Sequence, residues 1–273
     1  MLLHESESEL GKKSEYESNY NPSKLFAIPR KIKRDELGIQ GALPFVGYDI
    51  WNHYEVSWLN EKGKPQVGVA EISYSCDSKY IIESKSMKLY FNTLNNSKFK
   101  DIDYVQQLIE NDISLKIDAK AIVKISPLNA LKIDTFNILK GKNIDSLDVT
   151  IDDYTVNSNH LVTNEHHVEE EVCSDLLKSN CLITNQPDWG SIKIAYTGKQ
   201  INHEGLLKYI ISFRNHNEFH EQCVERIFLD IQRKCSPQKL MVQARYTRRG
   251  GLDINPVRSS YPIRPENIRH FRQ

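Results

Sequence analysis

The sequence predicts an α+β chain made of two copies of one module, each with antiparallel strands and helices. Three observations predict it. Apolar residues fall at alternate positions in several short stretches, two longer stretches switch to a helical period, and the whole succession then repeats. At 273 residues the chain has room for one or two domains of about 150 residues, each with a real core.

In chain order, the first twenty residues are polar, lack periodicity and are expected to fray. Leu25 to Arg30, with Pro22 and Pro29, reads as an extended arm. Alternation along Val67, Val69 and Glu71 to Tyr74, then Lys79 to Ile82, then Lys88 to Phe91, predicts antiparallel strands. From Phe99, the spacing of Ile102, Val105, Leu108 and Ile109 predicts a helix, and Ala121, Val123 and Ile125 alternate again as a strand. Ile144 to about Glu171 is acidic, short on long apolar stretches, and reads as a connector. The order then recurs: Ile192, Ile194 and Tyr196 alternate, Lys208 to Phe213 reads as a second strand, Val224, Phe228 and Ile231 line a helix face, and Leu240, Val242, Ala244 and Tyr246 close with a strand.

Sliding the halves by 120 positions pairs Lys88 with Lys208, Asn95 with Asn215, Phe99 with Phe219 and Leu108 with Phe228, an ungapped internal repeat. The expected division is a polar segment at 1–24, a first module at 25–140, a connector at 141–172 and a second module at 173–273.

Charge and composition exclude several functions. Lys plus Arg total 36 and Asp plus Glu total 36, so no net field draws the chain to nucleic acid or an anionic membrane, and no direct nucleic-acid partner is expected. No apolar run approaches the ~20 residues of a membrane span. Met1 to Tyr20 lacks the apolar core of a secretion signal, so the expected location is the cytoplasm. The five cysteines, Cys76, Cys173, Cys181, Cys223 and Cys235, are odd in number and irregularly spaced, as expected of free thiols.

Three segments can carry chemistry. In Cys181-Leu182-Ile183-Thr184-Asn185-Gln186-Pro187-Asp188, a thiol and a carboxylate flank a Pro-containing turn that could fold both onto one pocket, a nucleophile beside a proton donor. The bland alternative is a small buried hydrophobe at Cys181 and a turn residue at Asp188. In Phe213 to Glu221, Glu218 and Glu221 suit a helix start. A carboxylate there could instead accept the paired N–H donors of a guanine-like edge, with His220 as a donor or proton relay. Glu83-Ser84-Lys85-Ser86-Met87-Lys88 and Arg248-Arg249-Gly250-Gly251 offer cations, hydroxyls and open backbone to phosphate, or else a solvated strand edge. None of the twelve glycines forms a G-x-G-x-x-G fingerprint. His166, His167, Glu169, Glu170 and Cys173 lack metal-site spacing, and no metal is expected.

Glu83 to Tyr90 resembles the signature of the NADPH-dependent 7-cyano-7-deazaguanine reductases, the nitrile reductases of queuosine biosynthesis. Gly47 to Leu59, Cys181 to Trp189, Phe213 to Glu221 and Arg248 to Gly251 resemble other segments of that family's longer, two-module branch. The resemblance runs from about Leu25 to the C-terminus and implies tunnelling-fold modules and reduction of a nitrile to a primary amine with two NADPH and no metal. By motif it implies Cys181 as the nucleophile that forms a thioimide and Asp188 as the proton donor. It also implies Ile82, Glu83, Ser84, His220 and Glu221 as substrate contacts, Ser84, Lys85, Arg249 and Gly250 as NADPH contacts, and a homodimer. At the repeat offset Lys100 and Asp101 stand opposite His220 and Glu221, and Glu204 to Leu207 stand opposite the Ser-Lys-Ser element, so the two copies are expected to have specialised and one active site to draw on both. The competing classes are a non-catalytic purine- or pterin-binding module and a cyclohydrolase-like zinc hydrolase.

Overall fold

A computed structural model describes residues 16–130, 137–263 and 266–273. The fraying expected of the first twenty residues lies outside these for residues 1–15, whereas Tyr20 is held, its N–H donating to Ser97 Oγ and its hydroxyl to Asp112, each at 2.8 Å. The chain forms two compact units. One holds the N-terminal segment to Glu36, Ile50–Asp134 and Arg248–Asp253, and the other holds Leu37–Asp49, Thr135–Thr247 and Ile254–Gln273.

The first unit begins with β1 (Ala27–Pro29) and α1 (Arg30–Glu36). It takes most of β2 (Val46–Leu59), then β3 (Pro65–Ser75), β4 (Tyr80–Ile82), α2 (Ser84–Leu94), α3 (Ile102–Ile117) and β5 (Ala121–Pro127). β3 lies between β2 and β5 and pairs antiparallel with β5, while β1 pairs antiparallel with β4. Val105, Ile109, Ile113 and Ile117 fall at three- and four-residue spacing on one face of α3 and are fully buried. α3 packs on β5, and Ala70, Ile72 and Tyr74 on β3 supply the inward positions. The buried parity of β3 is therefore that of Ala70, with Val67 exposed.

The second unit contains β6 (Lys142–Asn143), β7 (Thr163–Asn180), β8 (Pro187–Ile201), α4 (His203–Ser212), α5 (His220–Cys235), β9 (Lys239–Tyr246) and most of β10 (Leu252–Ser259). β7 to β10 form antiparallel ladders, and the short β6 lies parallel to its neighbour β7. α5 buries Val224, Ile227, Phe228 and Ile231 on β8 and β9.

Two expected strands are helices. Around Lys88 to Phe91 the short apolar run reads equally as strand or helix. α2 wins because Glu83 caps its first turn and Met87, Tyr90, Phe91 and Leu94 recur on one buried face. Lys208 to Phe213 lies in α4 and the short turn after it, with Asn202 capping the start and Leu206, Ile210 and Phe213 buried. The expected connector also differs, since β7 begins inside it at Thr163. Its polar residues are held by the ladder to β8 and by pairs such as Lys199 with Glu165 and Lys193 with Glu171, each at 2.8 Å. All five cysteines are free, and no described helix is long and apolar enough to cross a membrane.

With the helices assigned, the 120-residue offset matches element to element. α2 corresponds to α4, α3 to α5 and β5 to β9. Tyr90 donates to Asp112 at 2.6 Å between the helices of the first unit, and Tyr209 donates to Asp230 at 2.7 Å between those of the second.

Candidate active site

In the second unit, the ladder between β7 and β8 runs to Ser179 opposite Asp188 and Asn180 opposite Pro187. Cys181 to Gln186 is thus a hairpin loop, which places a thiol and an acid seven residues apart at one end of the same sheet. The loop is closed by the Cys181 N–H to the Gln186 carbonyl at 2.8 Å and the Asn185 N–H to the Cys181 carbonyl at 3.1 Å. Asn185 turns it with φ of 57°, a left-handed conformation that Asn tolerates. The Asn217 side chain donates to the Asn185 side chain at 2.8 Å and to the Cys181 carbonyl at 3.3 Å. Cys181 and Asp188 are both buried, at 4% and 7% exposure.

Strand alternation turns Asp188 inward and leaves Trp189 half-exposed, with the Arg214 guanidinium 5.7 Å from its ring. Asp188 meets His220 of α5, whose Nε2 lies 3.3 Å from a carboxylate oxygen. The imidazole is stacked on the buried Tyr246 ring at 3.9 Å and 13°. Tyr246 is opposite Gly190 in the β8–β9 ladder, and a Cβ at Gly190 would stand 3.2 Å from that ring. The missing side chain lets Tyr246 lie against the strand and His220 lie on Tyr246. Sequence spacing alone assigns neither Gly190 nor Tyr246 to this site. The one available signal for Tyr246 was its place at the end of the β9 alternation.

Glu221, in the first turn of α5, is buried at 2% exposure. Glu218 is not the cap of that helix. Phe219 is, without a side-chain bond. The Glu218 carboxylate is gripped by Arg226 at 2.8 and 3.0 Å and by His216 at 2.9 Å. Burial pushes its pKa up, but these bonds outweigh burial and hold it below the usual carboxylate value. His216, Glu218 and Cys223 bring ligand-type atoms within 4.8 Å of one another. Burial raises the Cys223 thiol well above its ordinary value.

The first unit gathers the other set. Glu83 is the N-cap of α2 and accepts from the Lys85 N–H at 2.6 Å and the Ser86 N–H at 2.8 Å. Burial pushes its carboxyl up against the opposing pull of these bonds and of Lys88 and Lys85. Each oxygen still has a second lone pair. Ile82 is buried at the end of β4, and Ser84 and Lys85 open α2.

Arg249 to Leu252 is a tight turn between β9 and β10, closed by the Arg249 N–H to the Leu252 carbonyl at 2.8 Å. Gly250 and Gly251 occupy its centre with φ of 59° and 73°, the positive values required by a type I′ turn. A Cβ at Gly250 would lie 3.0 Å from Lys88 Cδ and Cε. The structure therefore sets Gly250 beside a lysine one turn after Ser84 and Lys85, although more than 160 residues separate them in sequence. The Arg248 guanidinium lies 4.9 Å from the Tyr54 ring. Cations, a hydroxyl and a side-chain-free turn are groups of the kind that can hold phosphate.

Two family models match this chain. "Nitrile reductase, 7-cyano-7-deazaguanine-reductase N-term" matches residues 16–125 and "QueF-like protein" matches residues 187–263. The chain is 56% identical over 272 residues to the NADPH-dependent 7-cyano-7-deazaguanine reductase of Legionella pneumophila (strain Corby), covering 98% of this chain and 95% of that one. It is 54% identical over 277 residues, the whole of both chains, to the enzyme of the same name from Ralstonia nicotianae, and 52% identical over 269 residues to that of a Polaromonas species. The chain belongs to the family of NADPH-dependent 7-cyano-7-deazaguanine reductases.

Proposed function

We propose that this chain reduces the nitrile of 7-cyano-7-deazaguanine to the primary amine of 7-aminomethyl-7-deazaguanine, with Cys181 as nucleophile and Asp188 as proton donor. The observation that carries the reading is the hairpin that buries Cys181 and Asp188 at one sheet end, with Asp188 held 3.3 Å from His220.

A nitrile carbon accepts hydride poorly. Addition of the Cys181 S–H across the triple bond forms a C–S bond and leaves the proton on nitrogen, giving a thioimide that is more readily reduced. Asp188 is the group through which that proton passes, and His220 fixes the orientation of its carboxyl. After the first reduction, breaking the C–S bond returns the thiol and leaves an imine, and a second reduction gives the amine. When bound, NADPH supplies the hydride, and the four-electron change from nitrile to amine takes two. Ser84, Lys85, Arg249 and Gly250 are assigned to its phosphates, with Lys88 added beside Gly250. In the second unit Glu221 and His220 are assigned to substrate recognition. In the first unit Ile82, Glu83 and Ser84 carry that assignment, the Glu83 carboxylate having lone pairs of the kind that reads adjacent N–H donors.

The test mixes enzyme and nitrile without NADPH and follows near-ultraviolet absorbance and intact mass. Wild-type protein and Cys76→Ala, Cys173→Ala, Cys223→Ala and Cys235→Ala should form the adduct, and Cys181→Ala should not. A covalent substrate mass on Cys181→Ala would overturn the assignment. Binding without any adduct on the wild type would favour a non-catalytic module.

A further inference from the structure

His53, on β2, belongs to none of the roles assigned above. It is buried at 3% exposure, and its Nδ1 lies 3.0 Å from the Gly251 carbonyl oxygen. That oxygen can only accept, so Nδ1 carries the proton and donates. The same carbonyl accepts the Tyr54 N–H at 2.9 Å, so two successive residues of β2 hold one atom of the glycine turn. On its other side the imidazole rests on Phe91 of α2, with ring centroids 4.2 Å apart. Nε2 is buried without a hydrogen-bond partner among the described residues.

An aliphatic side chain could fill this space without stranding a buried nitrogen, which costs free energy. The imidazole does what such a residue cannot: it pins the turn on one edge while supporting α2 with its face. Gly251 cannot hold the turn by a side chain of its own, since a Cβ there would come within 2.5 Å of Glu55 Cδ. α2 carries Ser84, Lys85 and Lys88, and the turn carries Arg249 and Gly250. His53 touches both elements.

We propose that His53 is a positioning residue for the cofactor, setting the Arg249–Leu252 turn against α2 at the spacing that holds phosphate. The inference rests on the reading of Arg249 and Gly250 as NADPH contacts. His53 reaches the cofactor through the turn and takes no part in nitrile addition.

The experiment uses the full chain and four variants. His53→Asn keeps an N–H donor the same number of bonds from Cα as Nδ1, His53→Gln moves the donor one bond further, and His53→Leu removes it. Arg249→Ala tests the underlying reading. NADPH affinity is read by fluorescence titration, and adduct formation with the nitrile is read by absorbance without NADPH. His53→Leu and His53→Gln should weaken NADPH about tenfold, the scale of one buried hydrogen bond. His53→Asn should stay within about threefold of wild type, and all three should form the adduct at the wild-type rate. Unchanged NADPH affinity in His53→Leu and His53→Gln, with Arg249→Ala weakened, would overturn the role of His53 alone. Unchanged affinity in Arg249→Ala would overturn the reading of the turn. Loss of adduct formation together with NADPH binding, or an asparagine variant as weak as glutamine, would show a general packing role and overturn the proposal. If the leucine variant does not fold, the asparagine and glutamine pair decides the matter.

Discussion

Substitutions in the glycine turn should separate backbone strain from side-chain collision. At Gly250, φ of 59° puts an alanine in the left-handed region, at a cost of about 1–2 kcal/mol. Its Cβ would meet the flexible end of Lys88 at 3.0 Å, which can move a few tenths of an ångström at little further cost. Asparagine tolerates this conformation, so Gly250→Asn should cost less than about 1 kcal/mol. At Gly251, φ is 73° and the added carbon would lie 2.5 Å from Glu55 Cδ and 2.6 Å from Oε2. Glu55 must then leave its rotamer, adding about 0.5–1.5 kcal/mol to the backbone cost. The expected order of destabilisation is Gly250→Asn, then Gly250→Ala, then Gly251→Ala at about 2–3 kcal/mol, read from urea midpoints at constant slope. NADPH affinity should fall in Gly250→Ala, because Lys88 is displaced. Equal midpoints for Gly250→Asn and Gly250→Ala would refute the left-handed turn, and a Gly251→Ala no worse than Gly250→Ala would refute the collision with Glu55.

Asp188→Asn keeps the shape of the buried acid and removes its proton. It should still bind the nitrile while reducing it about 10²–10⁴-fold more slowly in single-turnover assays, and a near-wild-type rate would mean that another acid serves. Burial pushes the His53 pKa down from 6.5 to about 4. The unfolded chain therefore binds a proton between those values that the folded chain refuses, and the stability present above pH 6.5 is lost as pH falls toward 4, about 3 kcal/mol in all. Urea midpoints of wild type should fall more steeply across that window than those of His53→Asn, and parallel profiles would contradict the burial. Glu218→Gln leaves Arg226 partly buried beside a neutral amide and should destabilise by about 2–4 kcal/mol. Adduct formation should slow with it, because the Asn180 N–H beside Cys181 is held by the His216 carbonyl at 2.8 Å. A wild-type melting temperature would refute this reading.

Much of this was legible in the sequence because local pattern and tertiary environment agree. α3 and α5 carry unbroken helical spacing, β5 and β9 alternate cleanly, and the 120-residue offset relates α2 to α4 and α3 to α5. α2 and α4 are ambiguous in the sequence because Leu89 with Phe91, and the run from Lys208, fit either period. Asn202 and Glu83, the caps, decide for helix. β7 was hidden because its first half is polar on both faces, and only the ladder to β8 makes it a strand. At the candidate site, Cys181, Asp188 and the glycine turn stand in short segments with distinctive chemistry. Tyr246 and Gly190 act by shape, through a pairing across two strands that linear spacing does not disclose.

The repeat also explains where the chemistry sits. Each copy supplies two helix starts, and each start has N–H groups that need an acceptor. Asp101 closes α3 through the Tyr104 N–H at 2.7 Å, and Asn202 closes α4 through the Gly205 N–H at 2.8 Å. Both are ordinary short caps. The other start in each copy differs. α2 is capped by Glu83, a longer carboxylate buried to 1% exposure, and α5 opens at Phe219, which has no acceptor to offer. A buried carboxylate is costly unless something favours its charge, and the positive end of a helix does so. Glu83 is stabilised directly by two backbone N–H groups, and Glu221 lies in the first turn of α5, where the helix field acts on it. Among the four starts of α2 to α5, the buried carboxylates thus stand at non-corresponding ones, α2 in the first unit and α5 in the second.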